Sequence, residues 1–179
     1  MKDRAIDFGT IVLWLFVIDL GIAVGAGLYE TRIVLPDWLD TAGTLQWNAE
    51  TARRDDTGRR FWVWVTTVPL TLLTVANLWL AWRASSEARS WWLAAGTVAL
   101  VERALTLGYF IPTMVALTRD GSPDATSTAL RWTQLNSLRH VLVAVAWLAA
   151  LRALTALYLA RGRARNADPV LQSSMSHLS

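Results

Sequence analysis

The stretch FWVWVTTVPLTLLTVANLWLAW, residues 61–82, carries no charge, with Trp62 and Trp64 at one end and Trp79 and Trp82 at the other. A helix needs about 20 apolar residues to cross the hydrocarbon core of a bilayer, and tryptophan concentrates at the two water interfaces. The stretch therefore reads as a transmembrane helix bracketed by aromatic belts. Three further apolar stretches resemble it: residues 10–29, interrupted by Asp19, residues 91–117 and residues 132–160. The short polar link from Arg83 to Arg89 turns the third span back beside the second, and the cluster Gly121, Ser122, Pro123 and Asp124 marks the turn into the fourth. The expected fold class is all-α: an integral membrane antiparallel four-helix bundle. One domain covers residues 1–165, and a polar mobile tail covers 166–179.

Composition agrees with this. The chain has 179 residues and is 54% hydrophobic, whereas soluble domains are about 45–50% apolar. No separate soluble domain fits in what remains. The first span is longer than the apolar part of a signal peptide, lacks a small-residue cleavage site and is followed by three more spans, so it is expected to be retained. Residues 32–60 mix acids and arginines with Pro36, Trp38 and Trp47, and read as a long first loop resting on the membrane interface. The net charge of +3 comes largely from arginines in loops and termini, which suit anionic headgroups; no nucleic-acid partner is read from them. The absence of cysteine excludes disulfides, thiol redox chemistry, iron–sulfur clusters and cysteine-bound zinc.

Lys2 is the only lysine, a bias that fits a GC-rich bacterial genome. The expected location is a bacterial cytoplasmic membrane. Both termini are expected on the cytoplasmic side, because the Arg83–Arg89 link and the cluster Arg161, Arg163 and Arg165 sit directly at span ends. Gly21 and Gly25 form a small-xxx-small pair, which serves either packing inside one bundle or a seam between copies in a homo-oligomer.

Ionisable side chains inside spans are costly and commonly mark function. In the first span Asp19, Ala23, Gly27 and Glu30 share one helix face lined by small residues, which can border a cavity. In the third, Glu102, Thr106 and Tyr109 share a face, Arg103 stands beside them, and Pro112 frees the carbonyl of Gly108. In the fourth, Trp132, Asn136 and Arg139 recur at the same spacing, with His140 adjacent. The second offers Thr67, Thr71, Thr74 and Asn77. Threading the spans up and down places Tyr29, Glu30, Tyr109, Pro112, Asn136, Arg139 and His140 in the leaflet opposite the termini, with Asp19, Glu102 and Arg103 as a floor near mid-membrane. Each residue also has a structural reading. Arg32, Glu30 and Arg139 reach headgroups by snorkelling, Glu102 and Arg103 lock helices as an ion pair, Asp19 bonds a neighbouring helix, His140 is a core histidine, and the threonines bond their own helix carbonyls.

The run Gly27-Leu-Tyr-Glu30 with Pro36 and Trp38, then Tyr109-Phe-Ile-Pro112-Thr-Met, then Trp132 with Asn136-Ser-Leu-Arg139, resembles the anthrone-oxygenase-like family of small four-helix integral membrane proteins, many of them catalogued as a domain of unknown function. The resemblance spans essentially the whole bundle. It implies a shared site at Tyr29, Glu30, Tyr109, Pro112, Trp132, Asn136 and Arg139. For the characterised fungal branch it implies oxygenation of an anthrone to an anthraquinone by molecular oxygen without metal or flavin. Such chemistry needs a base and donors for an enolate. His140 or Glu102 is the expected base, Arg139 and Asn136 the donors, and Trp132, Tyr29 and Tyr109 the walls around a flat ring, with Arg103 and Asp19 also lining the site. Two other readings stay open. One is a metal-dependent oxidoreductase using Glu30, Glu102 and His140. The other is a non-enzymatic protein that binds a lipid, quinone or small hydrophobe, or serves as a partner subunit.

Overall fold

The computed structural model describes residues 8–41, 44–84, 87–119 and 123–176. Helix α1 spans Phe8–Leu39. A two-stranded hairpin follows, β1 (Asp40–Thr41) antiparallel to β2 (Thr44–Leu45), then a short helix α2 (Ala49–Asp55). Helices α3 (Gly58–Arg83), α4 (Arg89–Arg119) and α5 (Ala125–Ser176) complete the chain. Four helices are long and apolar enough to cross a bilayer: α1, α3, α4 and the Ala125–Arg163 part of α5. Their outer faces carry exposed Trp14, Ile18, Leu72, Val75 and Leu148, as a lipid-facing surface requires. The chain is an all-helical integral membrane protein.

Several boundaries differ from those expected. Residues 32–39 are not loop but the last turns of α1, so the expected first loop shrinks to the segment of the hairpin and α2. Within the expected tail, residues 166–176 continue α5 as helix; residues 177–179, like Lys2, Arg4, Gly121 and Ser122, lie outside the described residues.

Three of the spanning helices widen into π-helical turns, at Glu30–Val34 in α1, Gly58–Thr67 in α3 and Thr106–Phe110 in α4. Each ends two residues before a proline: Pro36, Pro69 and Pro112. A helical proline has no N–H and collides with the carbonyl four residues back, here those of Arg32, Val65 and Gly108. Lengthening the preceding turn accommodates the ring, and the N–H groups of Leu35, Val68 and Ile111 donate five residues back to the carbonyls of Glu30, Val63 and Thr106.

The helices pack around two apolar clusters. The first holds Leu13, Phe16, Leu20, Leu70, Ala95, Ala146 and Ala150. Asn77 stitches it: its amide donates to the carbonyl of Leu73 (2.8 Å), and its Oδ1 accepts from Trp92 Nε1 (2.8 Å). Thr71 and Thr74 each bond the carbonyl four residues back, as in their structural reading. The second cluster joins Leu35, Trp38 and Leu39 of α1 to Ala52, Phe110, Leu117, Ala129 and Trp132. Trp47 closes it from above, donating from Nε1 to the carbonyl of Leu117 (2.9 Å) and meeting Trp38 edge-on with centroids 6.1 Å apart. Replacing Trp47 with alanine should release this segment without melting the spans. We expect faster tryptic cleavage at the exposed Arg53 and Arg54, read on a gel, with helical circular dichroism unchanged.

Candidate functional site

Between the two apolar clusters lies a polar layer. Its centre is Glu30, the first residue of the π turn in α1 and 5% exposed. Three side chains from one face of α5 converge on its Oε2. Asn136 donates from Nδ2 at 3.0 Å, Arg139 Nη2 stands at 3.6 Å and His140 Nε2 at 3.5 Å. Asn136 Nδ2 is also 3.2 Å from His140 Nε2. The spacing of Asn136, Arg139 and His140 on a helix makes this convergence possible.

Arg139 is sandwiched between aromatic rings, its guanidinium carbon 5.4 Å from the Trp62 centroid and 5.1 Å from that of Phe110. Such stacking suits the weakly hydrated, planar guanidinium. Although the residue is only 9% exposed, its Nε finds no hydrogen-bond partner among the described residues, and neither does Oδ1 of Asn136. Buried donors and acceptors are rarely left unmatched, and of these two residues Arg139 is the one that lines the neighbouring cavity.

A cavity of about 390 Å³ opens beside Arg139 and Glu30. Trp38, Trp62, Phe110 and Trp132 wall it, Met114 and Val115 extend the wall, and Asp56 to Arg59 form its rim. Trp132 is fixed by a hydrogen bond from Nε1 to the carbonyl of Phe110 (3.1 Å), and its ring meets Phe110 nearly perpendicularly at 5.8 Å. Pockets of this size, mostly apolar with a few convergent polar groups, are typical of small-molecule sites.

Beneath the cavity Glu102 and Arg103 form an ion pair, and Thr106 donates to the other carboxylate oxygen at 2.7 Å. Asp19 is 6% exposed, neither of its oxygens is hydrogen-bonded among the described residues, and it lies within Coulombic reach of Arg103. Glu102 and Arg103 lie within Coulombic reach of Arg139 in turn, so one layer of charge runs from Asp19 to Glu30.

Of the expected site residues, Glu30, Trp132 and Arg139 line the cavity; Asn136 and His140 meet Glu30 from behind its wall, and Asp19, Glu102 and Arg103 form a layer next to them without lining it. Three expectations need correction. Tyr29 is 61% exposed and faces away from the inner cavity. Tyr109 packs edge-on against Phe110 at 5.2 Å and does not wall the cavity; Phe110 takes that place. Glu102 has both oxygens engaged by Arg103 and Thr106 and is absent from the cavity wall, so it is a poor base for a molecule held there. No three His, Asp or Glu side chains group as a metal cage among the described residues. The face of Asp19, Ala23 and Gly27 borders the His140 ring at Gly27 instead of open space.

Trp38, Trp62 and Phe110 were the walls that sequence reasoning missed, Trp38 because its surroundings read as an interfacial loop. Trp62 resembles the belt residues Trp64, Trp79 and Trp82, which are indeed exposed, but the π turn of α3 carries it inward. Proline at position 69 was the available signal.

Fold and site define a helical integral membrane protein with an aromatic-walled, mostly apolar pocket that carries Arg139 and Glu30. No protein-family model, curated protein or solved structure matches this chain.

Proposed function

We propose that the protein binds a flat aromatic molecule bearing a phenolic, enolic or quinone oxygen, held inside the membrane with its ring between Trp62, Phe110 and Trp132. The observation that carries this reading is Arg139: buried, stacked on two rings at the cavity edge, and with an unused Nε donor. A cation that cannot lose its proton suits an oxygen with developing negative charge. Glu30, which lines the same cavity, is the base nearest the bound ring, and Asn136 and His140 support it from behind through its Oε2. This cast fits cofactor-independent oxygenation of the anthrone-oxygenase kind, in which the base removes a proton from the carbon acid, Arg139 holds the resulting enolate while molecular oxygen, the oxidant, adds at carbon, and the proton returns to give a hydroperoxide whose O–O bond breaks with loss of water to leave the quinone carbonyl. Binding without turnover uses the same pocket and is the second reading.

The wider arrangement proposed is an antiparallel bundle with both termini cytoplasmic in a bacterial membrane, and the hairpin and α2 resting on the opposite interface. Its support is pairwise: Arg161 donates to Thr10 at 2.8 Å, whereas Asn136 meets Glu30.

Naphthol, which is fluorescent, tests the reading in the detergent-purified protein. We expect saturable binding, seen as energy transfer from tryptophan, and a loss of at least about tenfold in affinity for Arg139→Lys, which keeps the charge opposite Glu30 but removes Nε and the planar stack. Equal binding by both proteins would sink the assignment of Arg139. Oxygen uptake with an anthrone then separates the two readings, since only the enzymatic one predicts consumption.

A further inference from the structure

A second cavity, also about 390 Å³, flanks the first on the side between α1 and α3. Ala26, Tyr29 and Val34 line it from α1, and Phe61 and Trp62 from α3. Glu30, Thr57 and Trp62 line both cavities, Glu30 being the one ionisable side chain of the three. Phe61 meets Trp62 edge-on at 5.4 Å, so the partition is aromatic on both faces. Around it Leu28, Ile33, Trp64 and Val65 are exposed apolar residues of two spanning helices, so this chamber opens beside an apolar outer surface.

The two chambers ask for different chemistry. The inner one offers Arg139 and Glu30; the outer, Glu30 and Thr57 apart, offers almost only carbon, where a polar substituent would be left unsatisfied. A molecule occupying both therefore carries its oxygen at one end and hydrocarbon at the other. We infer that the ligand is an aromatic-headed lipid, a phenol or quinol whose ring fills the inner chamber and whose hydrocarbon tail passes Trp62 into the outer chamber and on into the bilayer. This rests on the aromatic-binding reading above and adds the tail and the route of entry, sideways from the membrane between α1 and α3. The exposed Tyr29 sits at the mouth, where its ring flanks the tail.

The test compares naphthol with decyl-naphthol at fixed detergent concentration, on the wild-type protein and on two variants that fill the outer chamber, Ala26→Leu and Val34→Phe. In the wild type we expect decyl-naphthol to bind tighter by about tenfold or more, since each buried methylene contributes. Both variants should erase that advantage and leave naphthol affinity unchanged, which also shows that they fold. A tail advantage that persists in both variants would be mere partitioning into detergent and would overturn the inference, as would no advantage in the wild type; the inner site survives either result. Loss of naphthol binding in both variants would overturn the separation into two chambers. Failure of naphthol to bind the wild type would overturn the aromatic-binding reading and this inference with it.

Discussion

Arg139→Met destabilises the bundle by about 3–5 kcal/mol, and adding Glu30→Gln to the same chain restores most of the loss. The reason lies in what each substitution leaves behind. Glu30 is nearly enclosed, and among the described residues Arg139 is the guanidinium that contacts it, at 3.6 Å. Removing that cation strands a carboxylate in a low-dielectric span, the costly half of a broken buried pair. A glutamine at position 30 carries no charge, and its carbonyl can still accept from Asn136 Nδ2, which now donates to Glu30 at 3.0 Å. Methionine fills the slot between Trp62 and Phe110 with a polarizable chain that suits aromatic neighbours. Unfolding by titration with a denaturing detergent, followed by helical circular dichroism, gives the double-mutant cycle directly. A cycle that adds up, with the double variant as unstable as the sum of the singles, would show that the two residues do not act as a pair. The same double variant should not bind naphthol, which separates holding the fold from holding the ligand.

How much of this was legible beforehand follows from which forces leave a mark on sequence. Span number came from hydropathy, because the bilayer imposes length and composition directly on residues 61–82 and their three counterparts. The convergence of Asn136, Arg139 and His140 on Glu30 followed from helical spacing plus depth. What spacing could not supply was rotation. A regular helix fixes which residues share a face only while its turns stay regular, and the π turns ahead of Pro36, Pro69 and Pro112 break that rule in three helices at the level of the site. Phe110 thereby replaced Tyr109 at the wall, and Trp62 left the belt. The polar sequence after Arg32 misled for a different reason. Charged and polar residues there face outward on the last turns of α1, while Leu35, Trp38 and Leu39 are buried under α2 and Trp47, a tertiary arrangement that local composition does not encode.

Gly27 should tolerate no side chain, and Gly27→Leu should abolish recovery of folded protein while Gly25→Leu, two residues earlier, leaves it intact or improves it. A Cβ placed on Gly27 overlaps the imidazole of His140, whereas one on Gly25 meets nothing within 4 Å. Between these extremes Gly21 would bring its Cβ to 3.2 Å from Trp147 Nε1, a contact that the indole can absorb by a small shift. His140 has no such freedom, since its Nε2 is fixed at 3.2 Å from Asn136 Nδ2 and 3.5 Å from Glu30. Pushing the ring aside breaks the polar layer at its centre and holds α1 away from α5, where close approach through a small residue substitutes for the hydrophobic drive that lipid cannot provide. Overpacking of this kind costs about 1–3 kcal/mol where neighbours can yield, and more where they cannot. At Gly25 the exposed leucine gains helix propensity, on the order of 1 kcal/mol over glycine, and meets lipid. Size-exclusion yield and melting temperature of the three leucine variants should therefore fall in the order Gly25, Gly21, Gly27. The pair Gly27→Ala with His140→Ala isolates the cause: recovery of the fold in the double variant identifies the ring as the obstacle, whereas continued loss would locate the strain in the helix backbone itself.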